Sequence, residues 1–177
     1  MEEQKPYEIN AKKKLIKNAL IQKYLSEKNF EMLEKTLEDF PLVGDSLRLL
    51  MDEGVFKYEI PMMQMYAIVR TNLHKFFTES EAEFGANFFR LQYYFRQNDL
   101  ENTKALLNEV KDLDIKPVYK GEFYYILLML AQPRNEADLV IECADYFERH
   151  QITEHLMKRE TAERFDGDVD TEEYLIF

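Results

Sequence analysis

The sequence predicts an all-α chain assembled from antiparallel helix pairs, and three observations carry that expectation. Leu, Glu, Lys and Met, which lose little side-chain freedom in a helix, are plentiful, whereas Gly and Pro number only five each. Apolar residues recur at three-and-four spacing along most of the chain, while period-two alternation never persists for more than a few residues. A polar turn between two amphipathic runs also occurs twice in the same layout, as YLSEKNFEMLEKTL at 24–37 and YFRQNDLENTKALL at 94–107.

The elements follow in order. Ile9 to Leu25 places Leu15, Ile16, Ala19, Leu20 and Tyr24 on one helical stripe. SEKN interrupts, and Phe30, Leu33, Leu37 and Phe40 mark a second helix that Pro41 ends, because the residue before proline is pushed out of the helical region. A third starts after Gly44, where Asp45 or Ser46 can cap it, runs through Leu47, Leu49, Leu50 and Met51, and weakens at Gly54. Pro61, tolerated in a first turn, opens a fourth reaching about Phe77. Thr78 with Glu81 fits a capping box and begins the fifth, at 80–97, with Phe84, Phe88, Leu91 and Phe95 in one stripe. After QND the sixth carries Leu100, Leu106, Leu107, Val110 and Leu113, and Pro117 stops it. The seventh, 118–131, is apolar nearly all round and should lie in the interior. QPRNE turns the chain into an eighth with Val140, Cys143, Ala144 and Phe147, and a shorter ninth covers 153–164. Residues 1–165 thus read as one domain of eight to nine helices, and 166–177 as an acidic tail with an apolar end.

The first helices of successive pairs begin near residues 8, 44, 82 and 118, a spacing of roughly 36 to 38, inside the range of helix-pair repeats. Superposing the two quoted stretches matches Asp99 with Asn29, Leu100 with Phe30, Glu101 with Glu31, Leu107 with Leu37 and Val110 with Phe40. Upstream of the turn, Tyr94 matches Tyr24 and Leu91 matches Ile21. This pattern resembles the tetratricopeptide repeat (TPR), most clearly over 84–117 and more weakly over 14–41. The family's usual glycine and tryptophan are missing, and Thr103 and Leu33 stand where it places small residues. The resemblance implies a right-handed stack of antiparallel helix pairs whose first helices line an inner, partner-binding face. Tyr24, Phe88 and Tyr94 are then the expected anchors. Stacking has a physical motive. One short helix pair buries too little surface to offset the entropy of ordering it, whereas neighbours share a continuous core.

Charge narrows the function classes. The formal net charge is −11 and the isoelectric point about 4.8, the wrong balance for a chain that must neutralise phosphates, so no nucleic-acid partner is expected. The one basic cluster, Lys12-Lys13-Lys14 with Lys17, reads as a solvated face. The segment LVGDSLRLLMDEGVFKYEIP admits a winged-helix, DNA-binding reading. Asp45, Asp52 and Glu53 would then face phosphates with only Arg48 and Lys57 to offset them. The longest apolar run, Tyr124 to Ala131, has eight residues, too few for a membrane span, and MEEQKPYEIN is too polar for a signal peptide. The lone Cys143 cannot form an intrachain disulfide and is expected to be a buried structural thiol. A cytoplasmic protein is expected.

Catalytic, cofactor and metal sites are not expected. His150 and His155 are five apart rather than the i, i+4 of a zinc helix, and His74 is remote from both. One thiol with one imidazole, Cys143 and His150, makes neither a structural zinc site nor a recognisable nucleophile pair. Asp166, Asp168 and Asp170 match the start of a calcium loop, but Thr171 replaces its glycine and Phe177 its bidentate glutamate. Glycine-rich phosphate loops are absent. Two stretches invite partner binding instead. Met62, Met63 and Met65, preceded by Phe56 and Tyr58, either fill core gaps or form an adaptable apolar surface. Tyr174, Leu175, Ile176 and Phe177 follow an acidic spacer and either belong to a disordered tail or dock into a groove of this chain or of a partner. The expected function is a non-catalytic protein- or peptide-binding module, regulatory or adaptor in kind; an acidic decoy for a nucleic-acid-handling protein is the alternative.

Overall fold

The computed structural model describes residues 6–152. The expected helix at 153–164 and the segment 166–177 lie outside the described residues. Eight α-helices follow one another: α1 (Pro6–Glu27), α2 (Phe30–Thr36), α3 (Asp45–Leu49), α4 (Met62–His74), α5 (Glu79–Arg96), α6 (Leu100–Val110), α7 (Pro117–Ala131) and α8 (Ala137–His150). A 3₁₀ turn, Gln132–Arg134, follows α7. There is no strand among the described residues, so the segment offered as a winged helix has no wing.

The expected weakening at Gly54 does not occur. The chain passes from α3 directly into a π-helical stretch, Leu50–Lys57, with Gly54 buried inside it. A Cβ at Gly54 would lie 3.3 Å from Leu25 Cδ2 of α1 and 3.4 Å from Met65 Cε of α4. The missing side chain is what lets the stretch pass closely between those two helices. Other boundaries also differ from expectation: α1 begins at Pro6 and α6 ends at Val110, short of Leu113. α2 stops at Thr36 and α4 at His74, because residues 37–40 and 75–77 close their carbonyls through turn bonds such as Phe40 N–H to Leu37 O and Phe77 N–H to Leu73 O.

Four hairpin connections share one device. Lys28, Glu59, Asn98 and Asn135 all adopt left-handed backbone with φ between 52° and 57°. They link α1 to α2, the π-helical stretch to α4, α5 to α6, and α7 through its 3₁₀ turn to α8. In the two stretches that match in sequence the following residue also caps the next helix. The Asn29 side chain accepts from Met32 N–H, and the Asp99 side chain accepts from Asn102 N–H. The capping box at Thr78 and Glu81 is present, with both reciprocal bonds formed.

Two hydrophobic clusters meet at α5. Ala82, Ala86 and Phe89 face the first, with Ile21, Leu25, Leu33, Leu47, Leu50, Met65, Val69 and Leu73. Phe84, Phe88 and Leu91 face the second, with Leu106, Leu107, Val110, Phe123, Leu127, Cys143 and Phe147. Each set is spaced four and then three along the helix, so two stripes of one helix serve two cores. The two alanines leave room for α4, the neighbour α5 touches most extensively. Of the stripe expected on α5, Phe95 is the exception, at 37% exposure. α7 is less interior than its composition suggests. Phe123, Leu127 and Leu130 are buried, but Tyr125, Ile126 and Leu128 are only partly covered among the described residues.

A single polar side chain ties down the connection after α2. Asn72 of α4 is 4% exposed; its Nδ2 donates to the carbonyls of Leu37 and Phe40, and its Oδ1 accepts from Leu42 N–H, each at 2.9 Å. Backbone groups of a buried loop that cannot form a ladder thereby find partners.

Candidate functional site

The C-terminal half of α5 carries the run Arg90 to Arg96, which the helix period distributes onto neighbouring grooves. Arg90 projects between α4, α5 and α6. Its guanidinium carbon lies 5.3 Å from the Tyr66 ring centre and 5.8 Å from that of Tyr94, a cation–π arrangement on both. Nη1 donates to Asn87 Oδ1 at 3.0 Å and to Glu109 Oε2 at 3.1 Å, and Nη2 donates to the Tyr94 hydroxyl at 3.3 Å. Nε is buried with no hydrogen-bond partner among the described residues. Burial alone would lower the Arg90 pKa; the Tyr94 hydrogen bond and the fields of Tyr94, Glu109 and Tyr66 outweigh it, and the net direction is upward.

Two turns upstream, Glu83 gathers an arginine and a histidine from α4. Its Oε1 accepts from Arg70 Nε at 2.7 Å and lies 2.8 Å from His74 Nε2. Burial pushes this carboxyl up, but hydrogen bonds from Arg70 and His74 hold it below the usual carboxylate range. These contacts, all to Oε1, belong to the α4–α5 seam.

On the other side of α5 the rings continue. Tyr93 stacks on Phe56 of the π-helical stretch, with centroids 5.9 Å apart and planes at 25°. Arg96 covers the outer face of Phe56 at 4.9 Å and pairs with Asp52. Tyr93 and Tyr94 meet edge to face at 5.9 Å. Phe56, Tyr93 and Tyr94 therefore form a half-exposed aromatic strip with an arginine at each end. Beside it lies a cavity of about 700 Å³, lined among others by Tyr93, Tyr94, Asp99, Glu101, Arg134 and Glu136. Arg134 fixes its shape, because Nη2 donates to Asn98 O at 2.7 Å and Nη1 to Leu130 O at 2.6 Å, locking the α5–α6 turn to the end of α7.

The expected anchors separate. Tyr94 lines this cavity. Tyr24 is only partly buried, but it packs on the first core beneath Lys23 and is not part of the strip. Phe88 is a correction: at 5% exposure it packs on Phe84 and Phe123 and offers nothing to a partner. The methionines split by helical period. Met65 is fully buried beside Gly54, as the core-filling alternative has it, and leaves the partner-binding set; Met62 is partly covered; Met63 is 53% exposed. Tyr174, Leu175, Ile176 and Phe177 lie outside the described residues. Arg90, Tyr93 and Arg96 escaped the sequence reading, although RLQYYFR displays them at adjacent helical spacings.

Cys143 is buried, and burial pushes its thiol up to about 12, which keeps it protonated and unreactive. Among the described residues no group of three or more His, Cys, Asp or Glu side chains is placed to hold a metal ion, and no helix is long and apolar enough to cross a membrane. No protein family, curated protein or solved structure matches the chain.

Proposed function

We propose that the chain is a non-catalytic, TPR-like helical-repeat module of the cytoplasm that holds a polypeptide partner against α5. The observation that carries this reading is the strip Phe56, Tyr93 and Tyr94, flanked by Arg90 and Arg96 and opening onto the 700 Å³ groove. Tyrosine and arginine dominate binding hot spots, because each combines a large apolar area with a directional polar end. Here the rings are already stacked and the cations already seated, so little side-chain freedom is lost when a partner arrives. The recurring left-handed turn at Lys28, Glu59, Asn98 and Asn135 supports the helix-pair stack. So do the contacts that run from α1 to the π-helical stretch, from that stretch to α5, and from α5 to α7.

Selection of displayed peptides on the purified chain tests the proposal. Enriched sequences, resynthesised, should bind in isothermal titration calorimetry and lose about tenfold or more in affinity with Tyr94→Ala or Arg96→Ala, the scale of a hot-spot truncation. Lys75→Ala, exposed just beyond the end of α4 and away from the strip, should leave the affinity unchanged. Failure to enrich any binder, or binders indifferent to both α5 substitutions, would overturn the reading.

A further inference from the structure

The groove beside Tyr93 and Tyr94 does not end at the α5–α6 turn. α6 and α8 both pack on α7 but barely touch each other, and a second cavity of about 340 Å³ lies between them. Its floor is apolar: Leu107 and Leu127 are buried there and Leu139 is partly buried. Glu136, the residue before α8, lines both cavities and joins them into one channel. The bond from Arg134 to Asn98 O sets the α5–α6 turn beside the α7–α8 turn, so α6 and α8 leave the same edge side by side.

Charge along this channel is one-sided and is not neutralised from within. Carboxylates of Asp99, Glu101, Glu136, Asp138 and Glu142 line it, against the cations Arg134 and Lys104. Arg134 is committed to the carbonyls of Asn98 and Leu130, and Lys104 pairs with Glu101 at 3.4 Å. Asp99 is occupied in capping α6. Glu136, Asp138 and Glu142 have no ion-pair partner among the described residues, whereas Asp52, Glu53, Glu83 and Glu109 each have one. Neighbouring carboxylates without a counter-ion repel one another, and a cationic ligand relieves that repulsion. The tyrosine rings at the mouth favour the same sign of charge, because an aromatic face attracts a cation. Spacing adds a length. Glu136 and Glu142 are separated by about 9 Å along the helix at 1.5 Å per residue. A polyproline-like strand covers that distance in about three residues, which also returns a side chain to the same side.

We infer that the partner of this site is a basic segment, an extended stretch with two lysines or arginines about three residues apart and an apolar residue between them. The first cation enters the cavity that Glu136 shares with Tyr93 and Tyr94, the apolar side chain covers Leu107, Leu127 and Leu139, and the second cation meets Asp138 and Glu142. The inference rests on the α5 reading and adds to it the chemistry of the ligand.

Selection from a displayed random-peptide library on the purified full chain tests this. Binders that depend on Tyr94 should carry lysine and arginine severalfold above their frequency in the library, and the resynthesised peptides should bind less tightly as salt is raised. Glu136→Gln/Glu142→Gln should weaken them about fivefold, the scale of two exposed ion pairs. Glu31→Gln/Glu34→Gln, which removes the same charge from exposed positions on α2, should leave them unchanged. Tyr94-dependent binders without the excess of cations would overturn the inference and leave the α5 reading standing. So would basic binders that Glu136→Gln/Glu142→Gln weakens no more than the α2 pair does. No binders at all, or binders indifferent to both Tyr94 and Arg96, would overturn the two together.

Discussion

Asn72→Ala isolates the energetic value of the polar tie between α4 and the connection that follows α2. The substitution removes three hydrogen bonds of 2.9 Å, two wholly buried and one partly buried. At about 1 kcal/mol net for each, the bonds alone amount to roughly 3 kcal/mol. Leu42 N–H is then left without a partner in the interior, whereas Leu37 O keeps its turn bond from Phe40 N–H; the orphaned donor adds about 1 kcal/mol or more. The expected loss is therefore about 4 kcal/mol, read in urea unfolding as a lower midpoint with an unchanged slope. Asn72→Asp sharpens the test. It keeps an acceptor for Leu42 N–H but sets a second carboxylate oxygen against the Leu37 and Phe40 carbonyls. At neutral pH it should be at least as damaging as alanine. Protonation restores one donor, and because the folded-state pKa of such a carboxyl is raised, part of the loss should be regained as pH falls below that value. An Asn72→Ala chain within 1 kcal/mol of the parent would refute the reasoning, since it would mean that water or a relaxed loop satisfies those groups equally well.

Two further outcomes are expected. Lys28→Gly and Glu59→Gly should each stabilise the chain by about 1 kcal/mol, since both residues hold left-handed backbone that costs an L-residue roughly 1–2 kcal/mol and both side chains are exposed; no gain in thermal or urea midpoint would count against this account of the turns. Stability should also fall on the alkaline side. Cys143 and Tyr146 both have folded-state values pushed up to about 12 by burial, so the unfolded chain releases those protons first, and the unfolding free energy should decline from about pH 9 towards 12; Cys143→Ala should flatten the early part of that decline in a pH series of urea melts.

How much of this was legible in the sequence depended on where a residue's role is decided. Helix identity and the Thr78 capping box are local matters, and the chain announces them through spacing and side-chain type. The matched turns at 24–37 and 94–107 reappear with the same backbone at Lys28 and Asn98, the same kind of cap, and Tyr24 and Tyr94 carbonyls accepting from Asn29 and Asp99 N–H. Burial within a helix was harder. Phe88 and Tyr94 stand on the same helix, yet Phe88 faces Phe123 and Tyr94 the groove, a distinction set by which helix packs alongside. Gly54 misled for a similar reason, because a glycine that reads as a helix breaker is retained where two helices pass within van der Waals contact. The left-handed turns at Lys28 and Glu59 carry no compositional signal at all, since neither residue is glycine or asparagine. Asn72 lies 30 residues or more from its partners, beyond any local pattern.

The double-sided character of α5 has a mechanical consequence. Because Phe89 completes one interior and Phe88, the residue before it, completes the other, a displacement of this rod is registered on both flanks at once. Loss of either interior should carry α5 with it, so thermal unfolding should proceed as one event. A partner gripping Tyr94 would pull on the shared wall and stiffen residues as distant as Leu25 and Cys143.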